Sequence, residues 1–149
     1  MSNLPRLFRI LSITAKFRLY EFAEGQSGYL LLRLLLLLDR PTGGEVRVQG
    51  AATRHLKGGA VAHYRRRFGV VFQDHRLLND RSVFDNVALP LVVAGYRYQE
   101  IRKRVHAAID KVGLLPKEKS LPAVLSGGEQ QRIGIARSVV HRPAVLLAD

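Results

Sequence analysis

The feature that most constrains this chain is the stretch LSGGEQQR at residues 125–132. Ser126 and Glu129 have the S-x-x-E spacing of a capping box, in which a hydroxyl and a carboxylate accept hydrogen bonds from free backbone N–H groups at a helix start. Gly127 and Gly128 lie between them and carry no side chains, so the remaining N–H groups and the positive end of the helix dipole stay open to an anion. The stretch therefore predicts a helix start that can bind a phosphate, although the spacing alone is equally compatible with a helix that is merely capped.

Length and composition place the chain among globular proteins with a single domain. It has 149 residues, of which 47% are apolar and 24% are charged, which is enough for one hydrophobic core. Cysteine is absent, which excludes disulfides, cysteine metal sites and cysteine nucleophiles and suits a cytoplasmic protein. The most apolar run, residues 29–38, contains Arg33 and is well short of the ~20 residues that cross a bilayer, so it predicts a buried helix.

The chain is strongly basic, with a formal net charge of +12. Such a charge favours an anionic partner, either nucleic acid or an anionic lipid surface. The densest basic cluster is residues 65–67, but a run of like charges is usually a solvated face, and no RNA-binding motif with interleaved aromatic residues accompanies it. We therefore do not expect nucleic-acid binding, and a basic nucleic-acid or lipid-binding module stays open on the ground of charge alone.

The hydrophobic pattern predicts three strands. Residues 44–50 alternate apolar and polar side chains between glycines, which predicts a half-buried, antiparallel strand. Residues 68–72 and 144–149 are short apolar runs of the kind that form buried strands. The first run is followed by Gln73, which makes this residue a site candidate, and the second ends in Asp149, a carboxylate that could equally be a solvated residue.

Three helices are predicted in the second half of the chain, which makes the fold α/β. Ser82 can cap the first, whereas Pro90 should kink that helix or end it early, and Gly95 closes the segment. Apolar residues at helical spacing predict the second helix over residues 101–112. The third runs over residues 126–141, before an Arg-Pro pair ends it.

The order of these motifs resembles the ATPase domain of the ABC (ATP-binding cassette) family, from about Thr42 to Asp149. The resemblance is carried by the signature stretch and the IGIAR that follows it, VFQDH at residues 71–75, NVALPL at residues 86–91 and PAVLLAD at residues 143–149. Within the family, the chain most resembles the members that act in cell division. Members that release lipoproteins or export macrolides are similar enough to stay possible.

This resemblance implies a P-loop NTPase-like fold with a helical signature subdomain, incomplete at its C-terminal end. Residues 29–149 would form a partial ABC ATPase domain, and residues 1–28 match the family poorly. The helical subdomain would lie at about 74–141. Within it, the apolar surface of residues 74–113 would dock a coupling helix of a membrane subunit.

The resemblance also implies roles for single residues of the chain. Gln73 would be the Q-loop glutamine, which helps hold Mg²⁺ and senses the membrane partner. Asp149 would be the Walker B aspartate, which acts on Mg²⁺ through water. Gly25, Ser27 and Gly28 would belong to the P-loop that binds the nucleotide.

The partners that the family implies are a second ATPase subunit and a membrane protein. Two domains would close head to tail, as a homodimer or with a paired ABC ATPase subunit, so that Ser126, Gly127, Gly128 and Gln130 bind the γ-phosphate of ATP held by the other copy. For the cell-division members the membrane partner is FtsX, an integral membrane subunit. The chain would then be cytoplasmic and peripheral on the inner face of the cell membrane, and ATP binding and hydrolysis would drive a change in FtsX that regulates cell-wall hydrolysis.

The sequence departs from the family at the phosphate-binding loop. A P-loop needs G-x-x-x-x-G-K-[ST], because the lysine neutralises phosphate charge and the hydroxyl binds Mg²⁺. GQSG at residues 25–28 resembles the start of the family's loop, but YLLL follows it, and no Gly-Lys pair occurs anywhere in the chain. We therefore expect ATP affinity to be weakened on the order of several kcal/mol.

The sequence also ends at Asp149, before the position of the glutamate that serves the family as general base. With neither this glutamate nor the P-loop lysine, we expect no hydrolysis by this chain alone. A non-catalytic or degenerate ABC fragment, which lends its signature helix to a partner, therefore stays open beside the ATPase hypothesis.

Overall fold

A computed structural model describes residues 27–148 of the protein. Over this range the chain forms both helices and strands, which confirms the predicted α/β class. The elements are α1 (Ser27–Leu35), β1 (Arg47–Val48), β2 (Ala51–Ala52), α2 (Gly59–Arg65), β3 (Phe68–Val71), α3 (Val83–Val93), α4 (Tyr98–Lys111), two 3-10 turns (Leu115–Lys117 and Pro122–Val124), α5 (Gly127–Val139) and β4 (Val145–Ala148). The chain divides into two compact units, and the boundary falls between His63 and Tyr64.

The first unit contains α1, which overlaps the apolar run at residues 29–38. Leu32, Leu34 and Leu35 are buried, which confirms the predicted buried helix. The helix ends before the apolar run does. The guanidinium of Arg33, in the last turn of α1, donates two hydrogen bonds, of 2.5 and 2.8 Å, to the carboxylate of Asp39, which lies beyond the end of the helix. This pair holds the chain where it leaves α1.

The hairpin of β1 and β2 also belongs to the first unit. Its strands are antiparallel, as predicted, but each has only two residues and is shorter than the predicted strand at residues 44–50. Gln49 and Gly50 have φ of 51° and 79°, and two consecutive left-handed residues form a tight two-residue turn. The turn therefore lies at residues that the alternating pattern predicts to be part of a single strand.

The second unit joins a parallel strand pair to a helical core. β3 and β4 pair in parallel, with Phe68 opposite Val145 and Val71 opposite Ala148, which confirms the two predicted strands over the described residues. Contrary to the prediction, β4 is not buried throughout but alternates buried and exposed residues. α3, α4 and α5 supply the core, whose most deeply buried side chains are Val83, Val87, Leu91, Val105, Ile109 and Ile133. The helical spacing of apolar residues predicts Val87 and Leu91 on α3 and Val105 and Ile109 on α4 as core positions, whereas it makes no prediction for Val83 or for Ile133 on α5.

α3 begins where the sequence predicts and continues past Pro90 almost to Gly95, the predicted close of the segment. The Oγ atom of Ser82 accepts a hydrogen bond of 3.1 Å from the backbone N–H of Asp85. Of the two outcomes expected at Pro90, a kink or an early end, the early end is wrong, because α3 continues past it and the N–H of Ala94 donates to the Pro90 carbonyl at 3.1 Å. Proline removes its own N–H but has a φ that suits a helix, and the burial of Leu91 in the core favours continuation.

A buried asparagine shapes the loop that leads into α3. Asn86 is fully buried, and its Oδ1 accepts a hydrogen bond of 2.8 Å from the backbone N–H of Leu78. Its Nδ2 donates to the carbonyls of Leu78, Arg81 and Ser82 at 3.0, 3.1 and 3.0 Å. The side chain thus fixes both ends of this loop to α3.

α4 matches its predicted pattern. Ile101, Val105 and Ile109 are buried on one face, and Gly113, with φ of 72°, follows the helix as the predicted stop. None of the helices within residues 27–148 has the length and apolar character that a membrane crossing requires.

Candidate functional site

The start of α5 is a complete capping box, as the sequence predicts. The backbone N–H of Glu129 donates to Oγ of Ser126 at 3.3 Å, and Oε2 of Glu129 accepts from the backbone N–H of Ser126 at 2.9 Å. These reciprocal bonds satisfy two of the N–H groups that a helix start leaves without partners. They fix the direction in which the first turn of α5 points.

A lysine that sequence reasoning missed completes this arrangement. Nζ of Lys117, in the first 3-10 turn, lies 2.5 Å from Oε1 of Glu129. This contact, followed by the backbone N–H of Ser126, lowers the pKa of Glu129 from 4.5 to about 2. Lys117 is twelve positions away in the sequence, so no local spacing could have indicated it.

The two glycines at this helix start are open to solvent. Gly127 and Gly128 are both exposed, and within the described residues their backbone N–H groups donate to no acceptor. The nearest heavy atom to a Cβ placed at Gly128 would be Nη1 of Arg132, 4.0 Å away. Two free N–H groups, the positive end of a helix and a guanidinium together favour an anion at this surface.

Gln130 faces the preceding turn in this structure. Its Nε2 donates to the carbonyl of Pro122 at 3.0 Å and to the carbonyl of Leu125 at 3.3 Å. The side chain therefore holds the second 3-10 turn against the start of α5. Its predicted contact with a nucleotide stays a prediction.

The loop that follows β3 (residues 72–76, the Gln73 loop) contains the second group of candidates. Gln73 is exposed in a turn directly after the strand. The guanidinium of Arg76 lies 4.3 Å from the ring centroid of Phe72 and 3.3 Å from the carboxylate of Asp74. These contacts fold the loop back on itself and leave the amide of Gln73 on its outer side.

An arginine of α5 fastens this loop. Nη2 of Arg137 donates to the carbonyl of His75 at 2.6 Å, and Nη1 donates to the carbonyl of Arg76 at 2.7 Å. Burial lowers the pKa of the Arg137 guanidinium, which still carries its charge because arginine is not deprotonated in proteins. Arg137 lies ten residues from Gly127, so the rise of a helix places the two ends of α5 ~15 Å apart.

The structure thus places the two groups of candidates at opposite ends of one helix. Ser126, Gly127, Gly128 and Gln130 are together at the start of α5, and the Gln73 loop is bound near its end. A single phosphate could not contact both ends.

The other candidates are placed only in part. Ser27 and Gly28 are the first residues of α1, whereas Gly25 and Asp149 lie outside the described residues. Ala148, which precedes Asp149, is the last residue of β4 and pairs with Val71 on β3. Over residues 27–148, no three histidine, aspartate or glutamate side chains form a group that could hold a metal ion.

Comparison with protein families identifies the chain. The model of the ABC transporter family matches residues 25–149. The chain belongs to this family. The match includes the signature stretch, the Gln73 loop and the two parallel strands that carry the sequence resemblance.

Curated relatives within the ABC transporter family include proteins of cell division and of import. The cell division ATP-binding protein FtsE of Escherichia coli is 53% identical over 131 residues, which cover 86% of this chain and 59% of FtsE. The methionine import ATP-binding protein MetN of Carboxydothermus hydrogenoformans is 45% identical over 119 residues, which cover 80% of this chain and 35% of MetN. The chain therefore spans less than two thirds of the length of these relatives.

Solved structures of ABC proteins have the same fold. A dimer of the ATP-binding cassette MJ0796 bound to ADP and phosphate matches with a TM-score of 0.75 and 34% identity, over 85% of this chain and 57% of that one. The second, CbiO1 of Clostridium perfringens, has a TM-score of 0.73 and 26% identity, over 86% of this chain and 51% of that one. These matches confirm the predicted P-loop NTPase-like fold of an ABC ATPase.

Proposed function

We propose that this chain is the ATP-binding subunit of an FtsE-type ABC complex that acts in cell division, and that its contribution to the ATP site is the start of α5. The observation that carries the proposal is the pair of exposed N–H groups at Gly127 and Gly128, held in place by the capping box of Ser126 and Glu129. The 53% identity to FtsE favours the cell-division role.

The start of α5 suits a terminal phosphate in its charge and shape. The N–H groups of Gly127 and Gly128 carry partial positive charge, and the guanidinium of Arg132 close to Gly128 carries a full positive charge. No side chain at the two glycines blocks an approaching anion. We propose that this surface binds the γ-phosphate of ATP held by a second subunit. The complete site would then need a homodimer or a paired ABC ATPase subunit.

The chain's own phosphate-binding segment fits ATP poorly. The residues after Gly28, where the family has the P-loop lysine and hydroxyl, are leucines within α1, and Leu32 is buried there. An apolar side chain can neither neutralise phosphate charge nor bind Mg²⁺. We therefore propose that the ATP which is hydrolysed is held by the P-loop of a paired ABC ATPase subunit, because a second copy of this chain would carry the same leucines.

The Gln73 loop suits a magnesium-bound nucleotide at the opposite end of α5. The amide oxygen of Gln73 and the carboxylate of Asp149 are oxygen donors of the type that Mg²⁺ prefers. Bound Mg²⁺ would neutralise phosphate charge. Gln73 would hold it in the dimer and would respond to the membrane subunit.

We further propose that an FtsX-type integral membrane subunit binds the helical part of the chain and keeps it on the inner face of the cell membrane. Apolar side chains on the outer side of α3 support this docking, because Leu89, Val92 and Val93 are exposed by 38%, 56% and 62%. The MetN relative supports a second candidate, the ATPase subunit of a methionine importer. Co-purification with an FtsX-type subunit, rather than with the importer's membrane subunit, separates the two.

The proposal can be tested with a mixed dimer. The full chain is mixed with a related ABC ATPase that has an intact P-loop but a mutated signature serine, so that the relative alone hydrolyses no Mg-ATP. We expect this chain to restore phosphate release. Gly127→Asp, which places a carboxylate at the phosphate surface where a Cβ atom meets no other atom within 4 Å, should abolish the restoration.

The matched control is Gly59→Asp, at the first residue of α2, where an added Cβ atom also meets no atom within 4 Å. It should restore phosphate release as well as the unchanged chain does. The proposed contribution of α5 is wrong if the unchanged chain restores nothing, or if Gly127→Asp and Gly59→Asp restore equally.

A further inference from the structure

The loop that carries Gln73 has an unusual backbone. His75 and Arg76 both have positive φ, of 56° and 43°, although neither is glycine. Side chains at such residues are strained by contact with their own backbone, and two in succession need support from the surrounding structure. Short hydrogen bonds within the loop, from the N–H of His75 to the Phe72 carbonyl at 3.0 Å and from the N–H of Arg76 to the Asp74 carbonyl at 2.6 Å, supply part of that support.

The remaining support comes from α5. The guanidinium of Arg137 donates one hydrogen bond to each of the two strained residues, across 62 and 61 positions of sequence. Gly134, three positions earlier on the same helix, also faces the loop. A Cβ atom there would lie 3.9 Å from the His75 carbonyl oxygen, which is an ordinary van der Waals distance, so the loop packs directly against this face of α5. One helix face is therefore shaped and charged to hold this backbone.

We propose that Arg137 is a positioning residue that couples Gln73 to the start of α5. This proposal rests on the proposed function, in which Gln73 contacts one nucleotide and Gly127 contacts another. Because Arg137 fixes the loop beside Gln73 to the helix that begins at Gly127, a displacement of the loop by a membrane subunit moves the phosphate-binding surface at the other end. Arg137 acts through these groups and touches neither nucleotide.

The first test is hydrogen–deuterium exchange of the full chain. Arg137→Gln removes the bidentate donor, and we expect the amides of His75 and Arg76 to exchange about tenfold faster or more, while those of Val87 and Val105 in the helical core are unchanged. Arg102→Gln, an exposed arginine on α4, is the control and should alter neither. Unchanged exchange of the loop in Arg137→Gln overturns the proposal.

A second pair of variants separates this role from general stability. If Arg137→Gln loosens the whole chain, Arg137→Lys, which keeps the charge and the aliphatic stem but not the fork of two donors, is measured in the same way. His75→Gly in the background of either variant should restore slow exchange of Arg76, because glycine takes a positive φ without strain and the Arg76 contacts that fold the loop are kept. Failure of this rescue means that Arg137 only stabilises the fold.

The coupling itself is tested in the mixed dimer. Arg137→Gln should lower kcat of the restored ATPase about tenfold and leave the KM for ATP unchanged, since the partner's P-loop holds the nucleotide. Loss of the loop's protection with an unchanged kcat overturns the coupling. If the unchanged chain restores no activity, the proposed function fails, and the exchange experiment still decides whether Arg137 holds the loop.

Discussion

Gly69 on β3 lies so close beneath the backbone carbonyl of Ser138 on α5 that a Cβ atom at residue 69 would overlap its oxygen. The same Cβ would lie 2.9 Å from Cγ of Pro143. Strand and helix therefore meet backbone to backbone at this point. Because β3 leads into the Gln73 loop, this contact fixes the strand that carries the loop against the end of α5.

Substitution of Gly69 should therefore be severe for so small a change. We expect Gly69→Ala to lower the free energy of unfolding by ~2 kcal/mol or more, because the pairing of β3 with β4 and the helical backbone at the end of α5 resist the shift that the added methyl group requires. Urea unfolding of the full chain measures this. Gly59→Ala, which adds the same methyl group in open space, should leave stability unchanged or raise it slightly, and equal effects of the two would contradict the steric argument.

Asn86 should be the polar side chain on which the helical core depends most. Asn86→Ala removes the partner of four hydrogen bonds to the loop before α3, and we expect it to lower the free energy of unfolding by ~2–4 kcal/mol. Asn86→Asp keeps the acceptor but removes the donor, and it should also be strongly destabilising. The exposed Asn79→Ala in the same loop is the control, and a loss of similar size there would assign the effect to the loop rather than to the buried amide.

Sequence patterns predicted some features of this fold and missed others. Spacing of apolar residues predicted the core faces of α3 and α4, and the S-x-x-E pattern predicted the cap of α5, because these depend on neighbours within a turn or two. Lys117 and Arg137 were missed because each acts on a segment distant in sequence. The fate of Pro90 also depended on tertiary burial, which no local rule contains.

Acid should weaken the start of α5. Since the folded pKa of Glu129 is about 2 and its ordinary value is 4.5, the ionised carboxylate stabilises the fold above about pH 4.5, and this contribution is lost as the pH falls from there toward about 2. We expect Glu129→Gln to be less stable than the unchanged chain near neutral pH. The difference should shrink over this acidic window in urea unfolding experiments.

Lys117→Gln provides the matching control, because it removes the first cause of the shift and should move the pKa of Glu129 back toward 4.5, as an NMR titration of the carboxyl carbon would record. A stability difference between the unchanged chain and Glu129→Gln that persists undiminished down to about pH 2 would contradict the assigned role of the carboxylate.

Binding of Mg-ATP by the chain on its own should be weak. The lysine and hydroxyl of a P-loop contribute charge-assisted hydrogen bonds to phosphate, and this chain has leucines in their place, so we expect its Kd for Mg-ATP to be about a hundredfold or more above that of a relative with an intact P-loop. Isothermal titration of both proteins under one set of conditions measures the ratio. The start of α5 cannot compensate, because the Gly127 and Gly128 surface lies on a helix end that would face the partner's nucleotide. If the two proteins had comparable affinity, the segment after Gly28 would bind phosphate without the lysine and hydroxyl side chains of a P-loop, and the prediction would be wrong.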